Sequence, residues 1–300
     1  MAKLKTDKIE EKDLKEYLGS YSDFSFELSV LKMLRESGVE CEHGGHYQDP
    51  VTNKSREFDI RAMKTFDSFR LRMAIECKNI RENFPVLVSC IPRHKQESYH
   101  QIAFVREPTT ESVSGFTIPT PIAFRSRAAV LSIRGDFSLY NPGEPVGKST
   151  VQVGRAQDGT ISAHDSELYE KWGQCLGSAN DLVERMYWDG DEKEEKYIST
   201  VIPFVVVPDD RLWMVVYDED GNMTGDPKPT DRCSCFIDKE YEMGNRVAGS
   251  HILLSHVEIV TFSGMQKFVD EYLRSKEDMS RIFSEEGITA AFEAKMKVKE

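Results

Sequence analysis

The sequence predicts an α/β protein, a mixed central β-sheet flanked by helices, and three observations carry that expectation. Residues 22–37 place Leu28, Leu31 and Leu34 on one helical stripe. Residues 55–65 and 69–77 alternate apolar and polar side chains with the period of two that marks half-buried strands. Residues 197–207, YISTVIPFVVV, are nearly continuous in apolar and β-branched types, as in a strand covered on both faces.

The elements follow in order. Residues 3–18 read as a charged, weakly amphipathic helix with Glu11 and Lys15 at the favourable i,i+4 spacing. Helix 22–37 ends at Gly38, where a C-terminal cap belongs. Residues 39–47 alternate like a strand, and DPVTNKS after them is turn chemistry. In strand 55–65, Phe58, Ile60 and Ala62 oppose Glu57, Asp59 and Arg61. In strand 69–77, Phe69, Leu71, Met73, Ile75 and Cys77 oppose Arg70, Arg72, Ala74 and Glu76, and Lys78 continues the second set. The linker Phe66-Asp67-Ser68 is short enough for a hairpin.

From residue 80 to 164 the pattern is irregular. FPVLVSCIP is a strand candidate, while the prolines and glycines from Pro108 to Gly159 suggest a loop-rich insertion with short strands. Periodicity returns over 166–188, where Leu168, Trp172, Cys175, Leu176, Ala179, Leu182, Val183 and Met186 form a long helical stripe. DGDEKEEK is a solvated charge run. RLWMVVY and HILLSHVEIVTF are strand-like, and SGMQKFVDEYL is a helix with an expected capping box from Ser263 to Gln266. The last twenty residues suggest an acidic-basic helix broken near Gly287. One domain is expected over 1–300, with its core at about 20–80 and 165–217, an insertion at about 80–164 and a C-terminal extension at about 218–300.

Composition bounds the function. No apolar run approaches the roughly 18 residues of a membrane span, and the charged first twenty residues lack the apolar segment of a secretory signal. Six cysteines without regular spacing read as reduced thiols. A cytoplasmic protein with no membrane partner is expected. The net charge of −12 argues against nonspecific coating of nucleic acid, which needs Lys and Arg against phosphates, but is compatible with a local basic groove.

The hairpin concentrates the chemistry. With Asp67 and Ser68 as its turn, partner numbers sum to about 135, which sets Asp59 opposite Glu76 with Lys78 two residues on, on the same face. Opposed carboxylates repel, and a partly buried pair holds at least one proton unless a cation intervenes. A hard divalent ion, Mg²⁺ or Mn²⁺, removes that penalty, and a phosphodiester with its anionic transition state suits such a site.

Glu27 in FELSV on a first helix, Asp59 in EFDIRA on a strand, and Glu76 and Lys78 in AIECKN ending the next strand resemble the PD-(D/E)XK nuclease superfamily, the restriction-endonuclease-like fold. That resemblance implies an αβββαβ core, matched by helix 22–37, the strands near 39–47, 55–65 and 69–78, helix 166–188 and strand 198–207. It implies metal ligation by Asp59, Glu76 and the Cys77 carbonyl, a water-orienting or activating role for Lys78, and completion of the metal or water shell by Glu27. Phe58 stands where the superfamily usually has Pro. The implied activity is Mg²⁺-dependent endonucleolytic hydrolysis of DNA, of restriction or defence type. Homodimerisation is compatible with a site that cuts one strand. The alternative is a catalytically inactive member of the fold that binds nucleic acid or a protein partner.

Other patterns have plainer readings. Asp59, Glu76 and Lys78 also fit an ordinary polar strand cluster. GEPVGKST is not a phosphate loop, because Gly143 to Gly147 leaves three intervening residues where four are needed. Cys41, His43 and His46 with distant Cys233 and Cys235 match no usual zinc spacing. Trp172 and Trp213 read as core, and Gln174 is a minor candidate for a phosphate or water contact. Arg125, Arg127 and Arg134 form the best local basic cluster, a solvated face or, as the lesser reading, a DNA-facing groove.

Overall fold

A helix and three antiparallel strands build the Asp59–Glu76 hairpin and its surroundings, and only after seven further strands does the chain add a long helix and a strand parallel to the hairpin's second strand. The computed structural model describes residues 6–20, 22–50, 52–105, 110–113, 116–119, 128–164, 166–186, 197–243 and 250–297. They form a mixed α/β structure, a large mixed sheet flanked by helices. Helix α1 (Glu11–Ser20) lies eight residues later at its start than the charge pattern suggests. Helix α2 (Phe24–Glu36) buries Val30, Leu31, Met33 and Leu34. Leu28, expected on that stripe, is 42% exposed, so the buried face is rotated toward Val30 and Met33. Gly38 ends the helix as expected: its φ is 70°, its N–H donates to Arg35 and the Val39 N–H donates to Leu34, a Schellman cap that glycine enters without a Cβ clash.

Strands β1 (Glu40–Gln48), β2 (Ser55–Phe66) and β3 (Phe69–Cys77) form an antiparallel meander. The β2–β3 turn is the two residues Asp67 and Ser68. Asp67, at φ 48°, adopts the left-handed conformation that Asp tolerates better than most side chains.

The segment expected to be a loop-rich insertion with short strands is richer in sheet than that, and most of its strands join the main sheet. It contains β4 (Val86–Pro92), β5 (Tyr99–Val105), a small separate hairpin of β6 (Thr110–Val113) and β7 (Phe116–Pro119), then β8 (Ala128–Arg134), β9 (Pro145–Arg155) and β10 (Ile161–His164). Its strands are unevenly spaced, and the longest, β9, is only partly buried, which hides the alternation. Helix α3 (Ser166–Met186) presents the expected stripe. Strands β11 (Ile198–Val207), β12 (Leu212–Val216), β13 (Lys228–Pro229), β14 (Arg232–Met243) and β15 (Ser250–Thr261) follow, and helices α4 (Phe262–Tyr272), α5 (Lys276–Met279) and α6 (Glu285–Lys297) complete the described chain.

The main sheet runs β1-β2-β3-β11-β15-β14-β9-β4-β12-β13, with β5, β8 and β10 attached at its sides. β11 lies parallel to both β3 and β15, covered on both faces, which accounts for its unbroken apolar run. Alternation sorts the core into two layers. Ala74, Val205 and Ile259 pack with Cys175, Ala179 and Val183 of α3. Ile60, Ile75, Cys77 and Phe204 pack on the other side with Leu31 and Leu34 of α2 and Phe268 of α4.

Two smaller expectations change. The N-cap of α4 is Thr261, whose hydroxyl accepts from the Gly264 N–H, while Ser263 is drawn off to Asp209, so Ser263–Gln266 is not a capping box. Trp172 and Trp213 are both only half-buried, Trp172 packing against the α3 layer from its margin.

Candidate functional site

The hairpin register places the carboxylates. Ile60 pairs with Ile75, so partner numbers sum to 135 as expected. Asp59 and Glu76 follow one step further on, on the face covered by α3. Glu76 has no exposed surface, and the Asp59 side chain is 12% exposed.

A lysine outside the strand motif meets them. Lys171 Nζ, from the first turns of α3, donates to Asp59 Oδ2 at 2.7 Å and to Glu76 Oε2 at 3.3 Å. Asp59 Oδ2 also accepts the Cys77 backbone N–H at 2.7 Å, which fixes the carboxylate to the end of β3. Lys171 belongs to the buried stripe, one turn before Cys175, and a lysine facing the core layer of an otherwise apolar stripe is the signal that could have found it.

Lys78 is placed otherwise than the motif implies. Its Nζ is 3.3 Å from Asp23 Oδ2 and 3.6 Å from Glu167 Oε2, so it ties the N-terminal ends of α2 and α3 together. Asp23 also accepts the Asn79 N–H at 2.7 Å, and the Asn79 side chain donates to the Ser22 carbonyl at 3.1 Å. Asp23 therefore docks the start of α2 on the end of β3, which carries Glu27 one helical turn later to the mouth of the site. Glu27 Oε2 lies 3.6 Å from His43 Nε2, a buried nitrogen with no hydrogen-bond partner.

Protonation follows from burial and proximity. Burial raises Glu27 to about 7, the Asp59 charge adds to the rise and Lys171 opposes it. Burial and then Asp59 push Glu76 well above the ordinary carboxylate range, against Lys171. Burial disfavours the Lys171 ammonium, but Glu76 and Asp59 outweigh it and raise its pKa. Glu76 is therefore the member of the site that holds a proton most readily, and Lys171 is held in its ammonium form.

Compared with protein-family models, with curated proteins and with solved structures, the chain matches none. Function has to be read from the site itself.

The donors fit a hard divalent ion. Asp59 and Glu76 supply oxygen ligands, and Mg²⁺ is commonly held by one or two carboxylates together with water and substrate phosphate. Glu76 Oε1 is buried with no hydrogen-bond partner. Lys171 holds the opposing oxygens and would have to yield part of that contact. Among the described residues, no group of three or more His, Cys, Asp or Glu is gathered for metal binding.

The remaining candidates lie apart. The Cys77 thiol faces the α2 layer, fully buried. Gln174 contributes its main-chain carbonyl, which accepts from Tyr47 Oη at 3.0 Å. Arg125 and Arg127 lie outside the described residues; Arg134 is exposed with its guanidinium 4.9 Å from the Tyr99 ring centroid. Cys233 and Cys235 are buried on β14 in the interior of the sheet, away from Cys41 and His43 on its β1 edge. Among the described residues no helix is long and apolar enough to cross a membrane.

Proposed function

We propose that this chain is a divalent-metal-dependent phosphodiesterase acting on nucleic acid, with DNA as its first candidate substrate, built on a restriction-endonuclease-like core and serving as an endonuclease of restriction or defence type. The observation that carries the reading is the convergence of Asp59 and Glu76 on one ammonium at the end of β3, with Glu27 held beside them. Asp59 and Glu76, with the Cys77 carbonyl, would hold Mg²⁺ or Mn²⁺. The ion supplies polarisation of a phosphoryl oxygen and acidification of water.

The protein's own groups would do the rest. Lys171, which already contacts both carboxylates, is the ammonium best placed to lie against negative charge developing on the phosphate. Glu27, with a pKa of about 7, can take or hold a proton at its carboxylate near neutral pH. Lys78 would act through position, holding the two helix ends that bring Glu27 and Lys171 in.

Plasmid, linear duplex and single-stranded substrates with Mg²⁺ or Mn²⁺ test this. Metal-dependent cleavage that disappears in Asp59→Ala and Glu76→Ala supports the reading, and an inert parent protein on every substrate with either metal removes it. One observation favours the second reading, an inactive nuclease-fold protein that binds nucleic acid or a protein partner: Lys171 already neutralises the carboxylates as a resident cation. In that case millimolar Mn²⁺ leaves the melting temperature unchanged, whereas binding to the native state alone would raise it.

A further inference from the structure

Helix α1 lies outside both core layers. Among its described residues none is buried, and only Asp13 is partly covered. Leu14 and Leu18, one turn apart on one face, are each more than half exposed, as is Ile9 just before the helix. The outer face of α2 adds Phe24, also more than half exposed, and Leu28. A helix of ten residues does not persist on propensity alone: below about 12–15 residues isolated helices are marginal, and most take their stability from packing an apolar face. The ion pairs Lys15–Glu11 and Lys12–Glu10 are exposed and add little. Something outside the described fold therefore has to cover Leu14 and Leu18.

This face adjoins the candidate site. The Ser22 N–H donates to the Tyr17 carbonyl at 3.1 Å, and the Ser22 carbonyl accepts from the Asn79 side chain at 3.1 Å, so the C-terminal end of α1 is tied to the end of β3.

Charge selects the occupant. From Asp7 to Ser20 the chain carries five acidic and three basic side chains, so there is no cationic excess for phosphates or for an anionic lipid surface. The charges are sorted by side instead. At 3.6 residues per turn, Glu10 and Asp13 fall on one side of the Leu14–Leu18 stripe, and Lys15, with Lys12 beyond it, on the other. With Leu14 and Leu18 as d and a positions, Glu10 and Lys15 stand at the g and e positions that pair across parallel helices. A second copy related by a two-fold axis along α1 sets the acidic side of each stripe against the basic side of the other. An antiparallel pair would set like charge against like. Glu11 ends the apolar stripe on the N-terminal side, so the pairing is short and the exposed face of α2 has to contribute. The five exposed apolar side chains offer on the order of 100 Å² each, about 1,000 Å² for two copies, which is where specific interfaces begin.

We propose that two copies of this chain associate through a parallel, two-fold pairing of α1, with Phe24 and Leu28 of α2 completing the contact. Both carboxylate sites then lie at the same end of the paired helices, which, resting on the nuclease reading, gives each strand of a duplex its own site. The association itself needs neither metal nor hydrolysis.

Sedimentation velocity of the full chain without divalent metal, over about a hundredfold range of concentration, tests this. The parent protein should pass from monomer to dimer. Leu14→Asp/Leu18→Asp should stay monomeric, with the melting temperature of the parent protein at the dilution where that protein is monomeric too. Glu10→Lys and Lys15→Glu should each weaken the dimer by about tenfold, because each turns two attractive pairs into repulsive ones, and Glu10→Lys/Lys15→Glu should restore it.

A parent protein that stays monomeric throughout, or a dimer untouched by Leu14→Asp/Leu18→Asp, overturns the proposal. A monomer whose α1 amides are strongly protected from hydrogen exchange also overturns it and assigns the cover to the same chain. A double charge swap that associates no better than the single variants overturns the parallel pairing. A dimer that cleaves no substrate leaves this inference standing and removes only the catalytic reading, and a cleaving monomer does the reverse.

Discussion

Lys171 donates to Asp59 at 2.7 Å across 112 residues of chain, and it reaches Glu76 with the same ammonium. Lys78, only two residues from Glu76, turns to Asp23 and Glu167 instead. The two lysines therefore make separable predictions. Lys171→Met should reduce metal-dependent cleavage by at least about a hundredfold, as loss of a transition-state cation does. Lys78→Ala should retain a larger fraction of the rate. Full activity in Lys171→Met with none in Lys78→Ala would return the acting role to the strand lysine.

The same substitution should destabilise the fold. Breaking a buried ion pair costs roughly 3–5 kcal/mol, and a Glu76 that keeps its proton places the loss near the lower end, about 3 kcal/mol. Mn²⁺ should then raise the melting temperature of Lys171→Met more than that of the parent protein, because the ion replaces the missing charge. Equal shifts in the two proteins would count against a metal between these carboxylates.

Asp59 and Glu76 should respond differently to substitution. Asp59→Ala leaves the Cys77 N–H without its acceptor and should cost about 1–3 kcal/mol. Glu76→Gln keeps the shape and removes a carboxyl whose ionisation burial opposes, so stability should be held or increased while cleavage is lost. Chemical denaturation of both variants checks this, and a Glu76→Gln protein much less stable than Asp59→Ala would contradict it.

His100 sets a pH dependence of stability remote from the site. Its Nε2 lies 2.8 Å from the Ile282 carbonyl, which can only accept, so Nε2 carries the proton and Nδ1 accepts from the Leu139 N–H. Burial lowers its pKa to about 4, against the bond to Ile282, so the unfolded chain binds a proton that the folded chain refuses between about 6.5 and 4. Stability present above pH 6.5 should fall as pH drops through that window, by on the order of 3 kcal/mol. Denaturation of the parent protein and His100→Gln across that range measures the term. An unchanged slope in the variant would exclude His100 as its source.

The hairpin was readable because alternation and a two-residue turn together fix both face and register, and the opposition of residues 59 and 76 follows from them. Helix α3 was readable from its stripe. Its lysine was not, because a motif reading looks for charge near the strand and Lys171 arrives from almost a hundred residues away. Leu28 misled because a three-residue stripe fixes the helix but not which flank of it is covered. The strands of 80–164 stayed hidden because strands such as β9 are only partly buried, which leaves the alternation shallow.

The position of β11 has a consequence for synthesis on the ribosome. When residues 198–207 leave the exit tunnel, β3 is already available to zip along one edge, but the partner for Phe204–Val207 on the other edge is β15, whose pairing segment ends at Thr261. More than fifty residues must be translated before that edge closes, a delay of seconds at ordinary elongation rates. Throughout that interval the nascent chain carries an apolar, β-branched edge open to foreign strands. A message that stops anywhere between β11 and β15 would therefore yield a sticky fragment rather than a small version of the protein.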